Sequence, residues 1–261
     1  MLHIVPDYPY VYETHLHTYQ GSACARSTGA EMAAACAAAG YAGIFVTDHH
    51  WGGNTRPDRA LPWEDWVEEF ASGWREAKAF GDNVGLDVWF GWEAGFRGTE
   101  FLIYGLTPEW MLAHPELGSF DLTPERQFQL VSEAGGLVIQ AHPFRIEPYI
   151  KQVRLFPRCC HGAEGYNAAH SAREYPPDDP HYTYNAQALE WAAENGLPIT
   201  AGSDAHTTKL LHGGMAFRRK LAGPWDFLRA VRYQEDCLYS DGVFWFDCMG
   251  HKVARAREWR E

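Results

Sequence analysis

Short apolar runs alternate with helix-like stretches along most of the chain. Runs rich in β-branched and aromatic residues predict strands. These strands lie at 10–18, 43–47, 86–92, 100–104, 137–141, 163–166, 197–201, 237–240 and 244–247. The stretches between them have helical spacing and helix-start residues. They predict helices at about 32–39, 63–80, 124–134, 184–195 and 225–233.

The order of these elements predicts the fold class. A strand followed by a helix recurs about seven times, which is typical of an α/β fold with a largely parallel sheet. A chain of 261 residues is long enough for a closed barrel. We find no internal repeat or linker and therefore expect one domain over 1–261.

Composition narrows the classes of protein. The chain is 46% apolar, which supports a sizeable core, and its formal net charge is -12. Such an acidic chain is not expected to bind long nucleic acid or a membrane surface. We find no apolar stretch of the ~20 residues that a membrane helix needs, and no signal peptide at the start. The six cysteines form no Cys-x-x-Cys pair, so we expect a reduced, cytoplasmic protein with buried or inert thiols.

Ionisable side chains follow the apolar runs at five places along the chain. In a parallel barrel, the positions that follow the strands lie at one rim, so these side chains are expected to meet. Imidazoles and carboxylates together suit Zn, Mn or Fe. Taken singly, an Asp here can cap the next segment, and a His can be an ordinary core residue. The residues are His15 and His17, Asp48 and His49, Glu93, His142, and Asp204 and His206.

The motifs around these residues resemble those of the polymerase and histidinol phosphatase (PHP) family of metal-dependent phosphoesterases. They are His15-x-His17, Thr47-Asp48-His49, Glu93, Ala141-His142-Pro143 and Gly202-Ser-Asp204-Ala-His206. The resemblance covers about 10–215. It implies a single-domain, TIM-like, distorted (β/α)7 barrel with two or three divalent ions at the carboxyl ends of the strands.

The resemblance also implies how the ions are shared. His15, His17, Glu93 and Asp204 would hold one ion, Glu93 would bridge to a second shared with His142, and His49 and His206 would hold a third. Two positions depart from the family pattern, because 19–23 contains no Asp or His and 100–106 contains no His. The second and third ions each lose a ligand there. The residues weighed as replacements, each of which can also be structural, are Asp48, His50 and Glu100.

This ligand set predicts hydrolysis of a small phosphate monoester or diester by a metal-activated water. Glu93 and His206 are the candidate catalytic residues, with His206 as a possible acid for the leaving group. Arginine fits phosphate oxygens, and the candidates for the substrate phosphate are Arg145, Arg26 and Arg97, with Lys209 less favoured. Glu164 and Asn167 are expected to shape the rim or bind a ligand without binding metal.

Two other classes of function stay open at this point. An amidohydrolase-type metal hydrolase also begins with His-x-His, but it usually relies on a lysine or later histidines at middle strand ends. A metal-stabilised barrel that binds a ligand without catalysis is the second. Long loops at 50–62 and 143–182 would roof the cleft and favour a small phosphorylated substrate. The substrate, the metal and the oligomeric state are not decided by the sequence.

Overall fold

The computed structural model describes residues 2–171 and 183–256 and shows one curled sheet with helices packed against it. Part of the loop predicted at 143–182, namely 172–182, lies outside these residues. The strands are β1 (Tyr10–Glu13), β2 (Gly43–Val46), β3 (Asp87–Phe96), β4 (Thr99–Tyr104), β5 (Leu137–Ala141), β6 (Gly162–Asn167), β7 (Ile199–Gly202), β8 (Gly214–Phe217), β9 (Cys237–Ser240), β10 (Phe244–Phe246) and β11 (Lys252–Arg255).

Seven α-helices are present in the described part of the chain. They are α1 (Gly29–Ala39), α2 (Trp63–Phe70), α3 (Ser72–Val84), α4 (Pro108–Leu112), α5 (Pro124–Glu133), α6 (Tyr184–Glu194) and α7 (Pro224–Arg232). Short 3-10 helices lie at Pro115–Gly118 and Ala168–His170. None of the helices within 2–171 and 183–256 is long and apolar enough to cross a membrane.

The strand order shows a mixed sheet. It runs β11-β10-β9-β8-β1-β2-β3-β4-β5-β6-β7. Strands β1, β2 and β3 are parallel, as are β5, β6 and β7, and all other neighbours are antiparallel. The expectation of a largely parallel sheet is therefore wrong. The α/β class holds, and the sheet curls as a half-barrel, while the sevenfold repeat stays a prediction.

The β3–β4 hairpin interrupts the strand–helix repeat. Its two strands are joined by a tight turn in which Arg97 and Gly98 have φ of 54° and 87°. Because β4 is antiparallel to both β3 and β5, it leaves those two strands parallel to each other. The carboxyl ends of β1, β2, β3, β5, β6 and β7 therefore lie on one side of the sheet.

The helix predicted at 63–80 is two helices. The chain bends at Ala71, whose N–H donates to the carbonyl oxygen of Val67 at 2.9 Å, and α3 restarts at Ser72. Helix α3 then packs closely on α1. A Cβ on Gly29 would lie only 1.9 Å from the carbonyl oxygen of Gly73, so the two backbones touch where neither residue has a side chain.

The sheet separates two groups of buried side chains that matter for the site. One face carries Tyr12, Phe45 and Leu102, which form the core inside the curl. The other face carries Trp92 and Phe101, which pack beneath α2, α4 and α5. Glu93 lies on the inner face with Leu102, because residues directly opposite each other on paired strands point to the same face of the sheet.

Candidate metal centre

The seven predicted metal ligands meet in one buried group, which we call the His–carboxylate cluster. It consists of His15, His17, His49, Glu93, His142, Asp204 and His206. Within it, His142 Nε2 lies 3.0 Å from Glu93 Oε1, and His17 Nε2 lies 3.3 Å from Asp204 Oδ1. The rim predicted from the strand ends therefore exists. That these residues bind metal stays a prediction.

Four sets of three side chains within the cluster can each surround an ion. In every set, one ligand atom from each residue lies within 4.8 Å of the others. The fourth set adds Glu100, one of the replacements weighed from the sequence. The sets are His17, His49 and His206; His15, His17 and Glu93; His15, His142 and Asp204; and His49, Glu93 and Glu100.

The segment with the first two histidines is extended but lies beyond β1, which ends at Glu13. The predicted strand over 10–18 is thus shorter than expected. The Glu13 carboxylate accepts a hydrogen bond from the His15 N–H at 2.9 Å and another from the Ser203 N–H at 2.9 Å. A Cβ on Gly202 would lie 2.5 Å from the His15 Cβ, so glycine is needed where β7 approaches this segment.

Two cluster residues have strained backbones. His142 has φ of 25° and Asp204 has φ of 54°, a region that non-glycine residues seldom occupy. His142 directly follows β5, and Asp204 lies two residues beyond the end of β7. Strain of this kind is concentrated at functional sites.

Glu164 fixes the orientation of His15. Its Oε1 lies 2.8 Å from His15 Nδ1, and its Oε2 accepts the His142 N–H at 3.0 Å. Asn167 donates to the same carboxylate at 3.0 Å. Because a carboxylate only accepts, His15 must donate from Nδ1, and its Nε2 points into the cluster. Glu164 and Asn167 hold cluster residues in place, in line with their predicted rim role.

Ser22 fixes His17 in the same way. The Ser22 hydroxyl donates to Asp48 Oδ1 at 2.7 Å and accepts the His49 N–H at 2.9 Å. With its single proton already donated, it can only accept from His17 Nδ1 at 3.0 Å. His17 therefore also presents Nε2 to the cluster. Asp48 is structural here, as considered from the sequence, and burial raises its pKa to about 6.

His206 is the most exposed member of the cluster, with a side chain 25% exposed. Its Nδ1 lies 2.9 Å from the carbonyl oxygen of Asp204, which can only accept. When the ring is neutral, Nε2 carries the lone pair, the state in which an imidazole binds metal. This contact favours a ligand role, whereas the predicted role as an acid stays a prediction.

Several cluster atoms lack a satisfactory partner, and their arrangement suits an ion. His49 Nδ1 and Glu93 Oε2 are buried 2.7 Å apart but form no hydrogen bond of acceptable geometry. His15 Nε2 and His17 Nε2 lie 3.1 Å apart. Since both rings donate from Nδ1, these two lone pairs repel unless a proton or a metal ion lies between them. The donor set therefore fits a divalent cation.

The charges of the cluster reinforce one another. Burial raises the pKa of Glu93, but the imidazoles of His49 and His15 lower this pKa by more than burial raises it, so the net shift is downward. Burial alone lowers the pKa of His15 and of His49. Nearby carboxylates raise both by more, Glu164 acting most strongly on His15 and Glu93 on His49, so both pKa values are raised. Burial and nearby imidazoles both lower the pKa of His17. The carboxylates thus stay ionised, which a cation site requires.

The predicted phosphate-binding cations occupy different places. Arg145 is only 14% exposed, forms a close ion pair with Glu100, and donates its backbone N–H to the His142 carbonyl oxygen at 3.0 Å. Arg26 is exposed, and its N–H bonds the His206 carbonyl oxygen at 2.8 Å. Arg97 is exposed in the β3–β4 turn and lines a separate cavity, and Lys209 is exposed beyond His206. Arg145 is thus the best placed of the four.

Sequence reasoning missed Cys24 and Glu13. Burial raises the pKa of the Cys24 thiol, but hydrogen bonds with His206 and His49 lower it to about 6. Cys24 is half-buried and Cys248 is exposed, so the expectation that all thiols are buried or inert is wrong. Cys24 lies one residue beyond the 19–23 stretch, which contains no Asp or His. Glu13 could have been noticed as a carboxylate in an apolar strand immediately before the first histidine pair.

Comparisons with known proteins agree with this fold. A family model described as PHP-associated matches residues 183–234. A two-domain protein from Bacteroides vulgatus, described as containing a predicted PHP-like metal-dependent phosphoesterase, has a TM-score of 0.63 and 14% identity, covering 94% of this chain and 69% of its own. An amidohydrolase from Chromobacterium violaceum, with bound sulfate and no metal, has a TM-score of 0.53 and 16% identity, covering 84% and 96%. No curated protein matches the chain.

The fold and the cluster define an α/β half-barrel with a candidate metal centre at the carboxyl ends of its strands. The partial match to a PHP-associated family model and the shared fold agree with the resemblance of the motifs to the PHP family.

Proposed function

We propose that this chain is a metal-dependent phosphoesterase that hydrolyses a small phosphate monoester or diester. The observation that carries this proposal is the close approach of two imidazole Nε2 atoms, on His15 and His17, within a buried group of carboxylates. A proton or a metal ion must lie between these two nitrogens, and Glu164 and Ser22 hold the rings in the orientation that lets both nitrogens face a divalent ion.

The cluster offers ligands for two or three divalent ions. When bound, such ions polarise a phosphate ester and make a water molecule a stronger nucleophile. His15, His17, Glu93 and Asp204 would hold the first, Glu93 and His142 the second, and His49 and His206 a third. Glu93 is central because its two oxygens face His142 and His49.

Hydrolysis forms a bond from a water oxygen to phosphorus and breaks the bond to the leaving oxygen, which then takes up a proton. The two roles proposed for His206 both use Nε2, so it cannot bind an ion and donate a proton from that atom in one step. Its contact with the Asp204 carbonyl oxygen favours ion binding. Its exposure places it on the solvent side of the cluster, where a leaving group would depart.

Arg145 supports phosphate as the reacting group. Burial lowers its pKa, but Glu100 and Asp204 raise it well above the usual value, so the guanidinium is a permanent cation beside His142. A planar guanidinium binds two phosphate oxygens at once. An amide substrate gains less from such a cation because it carries no charge before reaction.

Activity measurements separate the three classes of function. The purified chain is treated with chelator, reloaded with Mn or Zn, and given p-nitrophenyl phosphate, bis(p-nitrophenyl) phosphate and p-nitroacetanilide. We expect turnover of a phosphate ester that chelator abolishes and metal restores. Hydrolysis of the anilide alone would indicate an amidohydrolase-type enzyme, and a metal-replete but inactive protein would indicate a binding function.

Replacing Glu93 tests the cluster directly. Glu93→Ala removes the carboxylate that faces two histidines, so we expect loss of bound metal and at least a ~100-fold fall in activity together. Metal content is measured by elemental analysis. The control is Glu194→Ala at the exposed end of α6, which should change neither. Full metal content in Glu93→Ala would remove Glu93 from the ligand set.

Replacing Arg145 tests the substrate side. Arg145→Ala should raise KM for the phosphate ester by about tenfold while leaving metal content nearly unchanged, because one charge-assisted contact is lost. Arg126→Ala is the control, since Arg126 is exposed and 4.0 Å from its ion-pair partner Glu116. Unchanged kinetics in Arg145→Ala would exclude a contact between Arg145 and the substrate.

A further inference from the structure

A second cavity, of about 620 Å³, opens behind the β3–β4 hairpin. We call it the back cavity. Residues from β3, from the segment around the 3-10 helix at Pro115–Gly118, and from the first turns of α5 line it. Its volume lies in the range of small-molecule sites, about 300–1,000 Å³.

The back cavity is separate from the His–carboxylate cluster. Ala94 and Phe96 line it, and these residues point to the opposite face of β3 from Glu93. His50 lines it as well and follows His49, whose ring faces Glu93. A molecule in the back cavity would therefore lie against the rear of the strand that carries Glu93.

Gln127 is the most informative residue in this cavity. It is only 1% exposed, yet neither its Nε2 nor its Oε1 has a hydrogen-bond partner. Buried amide groups are nearly always paired, so an amide with both ends unpaired calls for a missing partner. Gln127 lies in the first turns of α5 and lines the cavity together with Pro124 and Glu125 of the same helix.

A second unpaired polar atom lines the same cavity. His50 is 3% exposed, and its Nε2 has no hydrogen-bond partner. Its ring is held edge-on between aromatic rings, with the Trp66 centroid 5.0 Å away and the Phe70 centroid 5.6 Å away. The nitrogen therefore has a fixed position from which to meet a ligand.

The remaining walls are aromatic and electrically balanced. Phe96, Phe120 and Phe156 supply ring surfaces, and Phe120 is exposed at 73%, which is unusual for a phenylalanine on a loop. The charged residues that line the cavity comprise two cations and two anions: Arg97, Arg154, Asp121 and Glu125. This balance favours neither an anionic nor a cationic ligand.

We propose that the back cavity binds an uncharged aromatic amide. Its carboxamide would pair with Gln127, donating N–H to Oε1 and accepting N–H from Nε2, so that both buried atoms become satisfied. Its ring would lie against the phenylalanine walls, where aromatic rings pack favourably. A carboxamide matches the donor and acceptor of Gln127 together, whereas a ketone can only accept from Nε2 and leaves Oε1 unpaired.

The test uses benzamide and acetophenone as probes of nearly equal shape, since acetophenone replaces the amide NH2 with a methyl group. The metal-loaded full chain is titrated with each and followed by ligand-observed NMR. We expect benzamide to bind with a Kd in the millimolar range or tighter, and acetophenone to bind at least tenfold more weakly. Equal binding of the two probes, or no binding of benzamide, would overturn the proposal.

Gln127→Leu is the matched variant, because leucine keeps much of the volume and removes both polar atoms. We expect benzamide binding to fall at least tenfold, while the melting temperature stays equal or rises because no unpaired amide remains. A lower melting temperature would show that Gln127 already has partners and would contradict the proposal. Leu122→Trp, at a half-buried lining position, offers a second test by filling the cavity; undiminished benzamide binding there would also overturn it.

Discussion

The Ser22 hydroxyl shows how much one small side chain can decide. It contacts Asp48, the backbone of His49 and the ring of His17, and its single proton goes to Asp48. The tautomer of His17 follows from this count of protons without further assumption. Glu164 does the same for His15 from across the sheet. The cluster is therefore oriented by residues that do not themselves face the candidate ions.

Cys24 allows a prediction at the same scale. Its pKa of about 6, caused by hydrogen bonds with His206 and His49 that outweigh burial, makes it mostly thiolate at pH 7. In metal-free protein we expect its alkylation by iodoacetamide to reach half its maximal rate near pH 6, measured by peptide mass spectrometry.

Cys160 serves as an internal control for that experiment, because burial raises the pKa of its thiol to about 12 and it should stay unlabelled. Cys24→Ser should lose the early label. An alkylation rate at Cys24 that still rises steeply above pH 8 would show that the two imidazoles do not stabilise its thiolate.

Among the elements, the β3–β4 hairpin has the largest effect on the site. By adding an antiparallel strand between β3 and β5, it keeps the carboxyl ends of those strands on one side. It also brings Glu100 opposite Gly95, within 3.8 Å of His49 Nδ1. Glu100, which was weighed as a replacement for the histidine absent at 100–106, therefore lies beside the cluster, and its role as a ligand stays a prediction.

The start of α7 carries a testable ion-pair network. Asp226 accepts hydrogen bonds from the Ala222 N–H at 2.9 Å and from Arg229 at 2.9 Å, and it pairs closely with Arg219. These contacts, Arg219 foremost, lower the pKa of Asp226. Asp226→Asn should therefore reduce the free energy of unfolding at pH 7 by about 1–2 kcal/mol, measured by urea denaturation.

The pH dependence of that loss has a definite sign. A carboxyl with a lowered folded-state pKa stabilises the fold above its unfolded pKa of about 3.9, and this contribution disappears as acid protonates it. The difference between wild type and Asp226→Asn should shrink below about pH 4. Asp82→Asn, which removes only an exposed pair with Lys78, should cost less than about 0.5 kcal/mol. Equal losses from both variants would contradict the network.

At the scale of the whole molecule, the cluster ties distant parts of the chain together. Its residues follow β1, β2, β5 and β7 or lie within β3, so ions bound there would cross-link these five of the eleven strands. Ligands that bind only the folded state stabilise it by mass action. The described part of the chain has six free cysteines and no disulfide that would provide this cross-link covalently.

Metal removal should therefore lower the melting temperature. At a metal concentration about 1,000 times Kd the gain is about 4 kcal/mol, which corresponds to about 10 °C for a chain of this size. We expect chelator to reverse this shift in calorimetry and Mn or Zn to restore it. Binding requires neutral imidazoles, so the shift should decline as pH falls, and the raised pKa of His15 and His49 should make this decline begin above the usual imidazole value of about 6.5. A melting temperature indifferent to chelator and metal would contradict a structural role for the ion.

Much of the site could be predicted from the sequence. His15, Glu93, His142 and Asp204 each follow or end an apolar run, and parallel strands bring such positions to one rim. The positions of Glu13 and Cys24 in the site could not be predicted, because their roles depend on contacts with Ser203 and His206 from the far end of the chain. No spacing rule links residues separated by such distances.

The sequence by itself determined the α/β class, the main helices, and the residues that could form a metal centre, because apolar periodicity and polar strand ends are local features. Only the tertiary structure decided the mixed strand order, the bend at Ala71, the tautomers of His15 and His17, and the unpaired amide in the back cavity. These depend on which atoms meet across the fold, where a single added hydrogen bond or a Cβ at Gly202 changes the outcome.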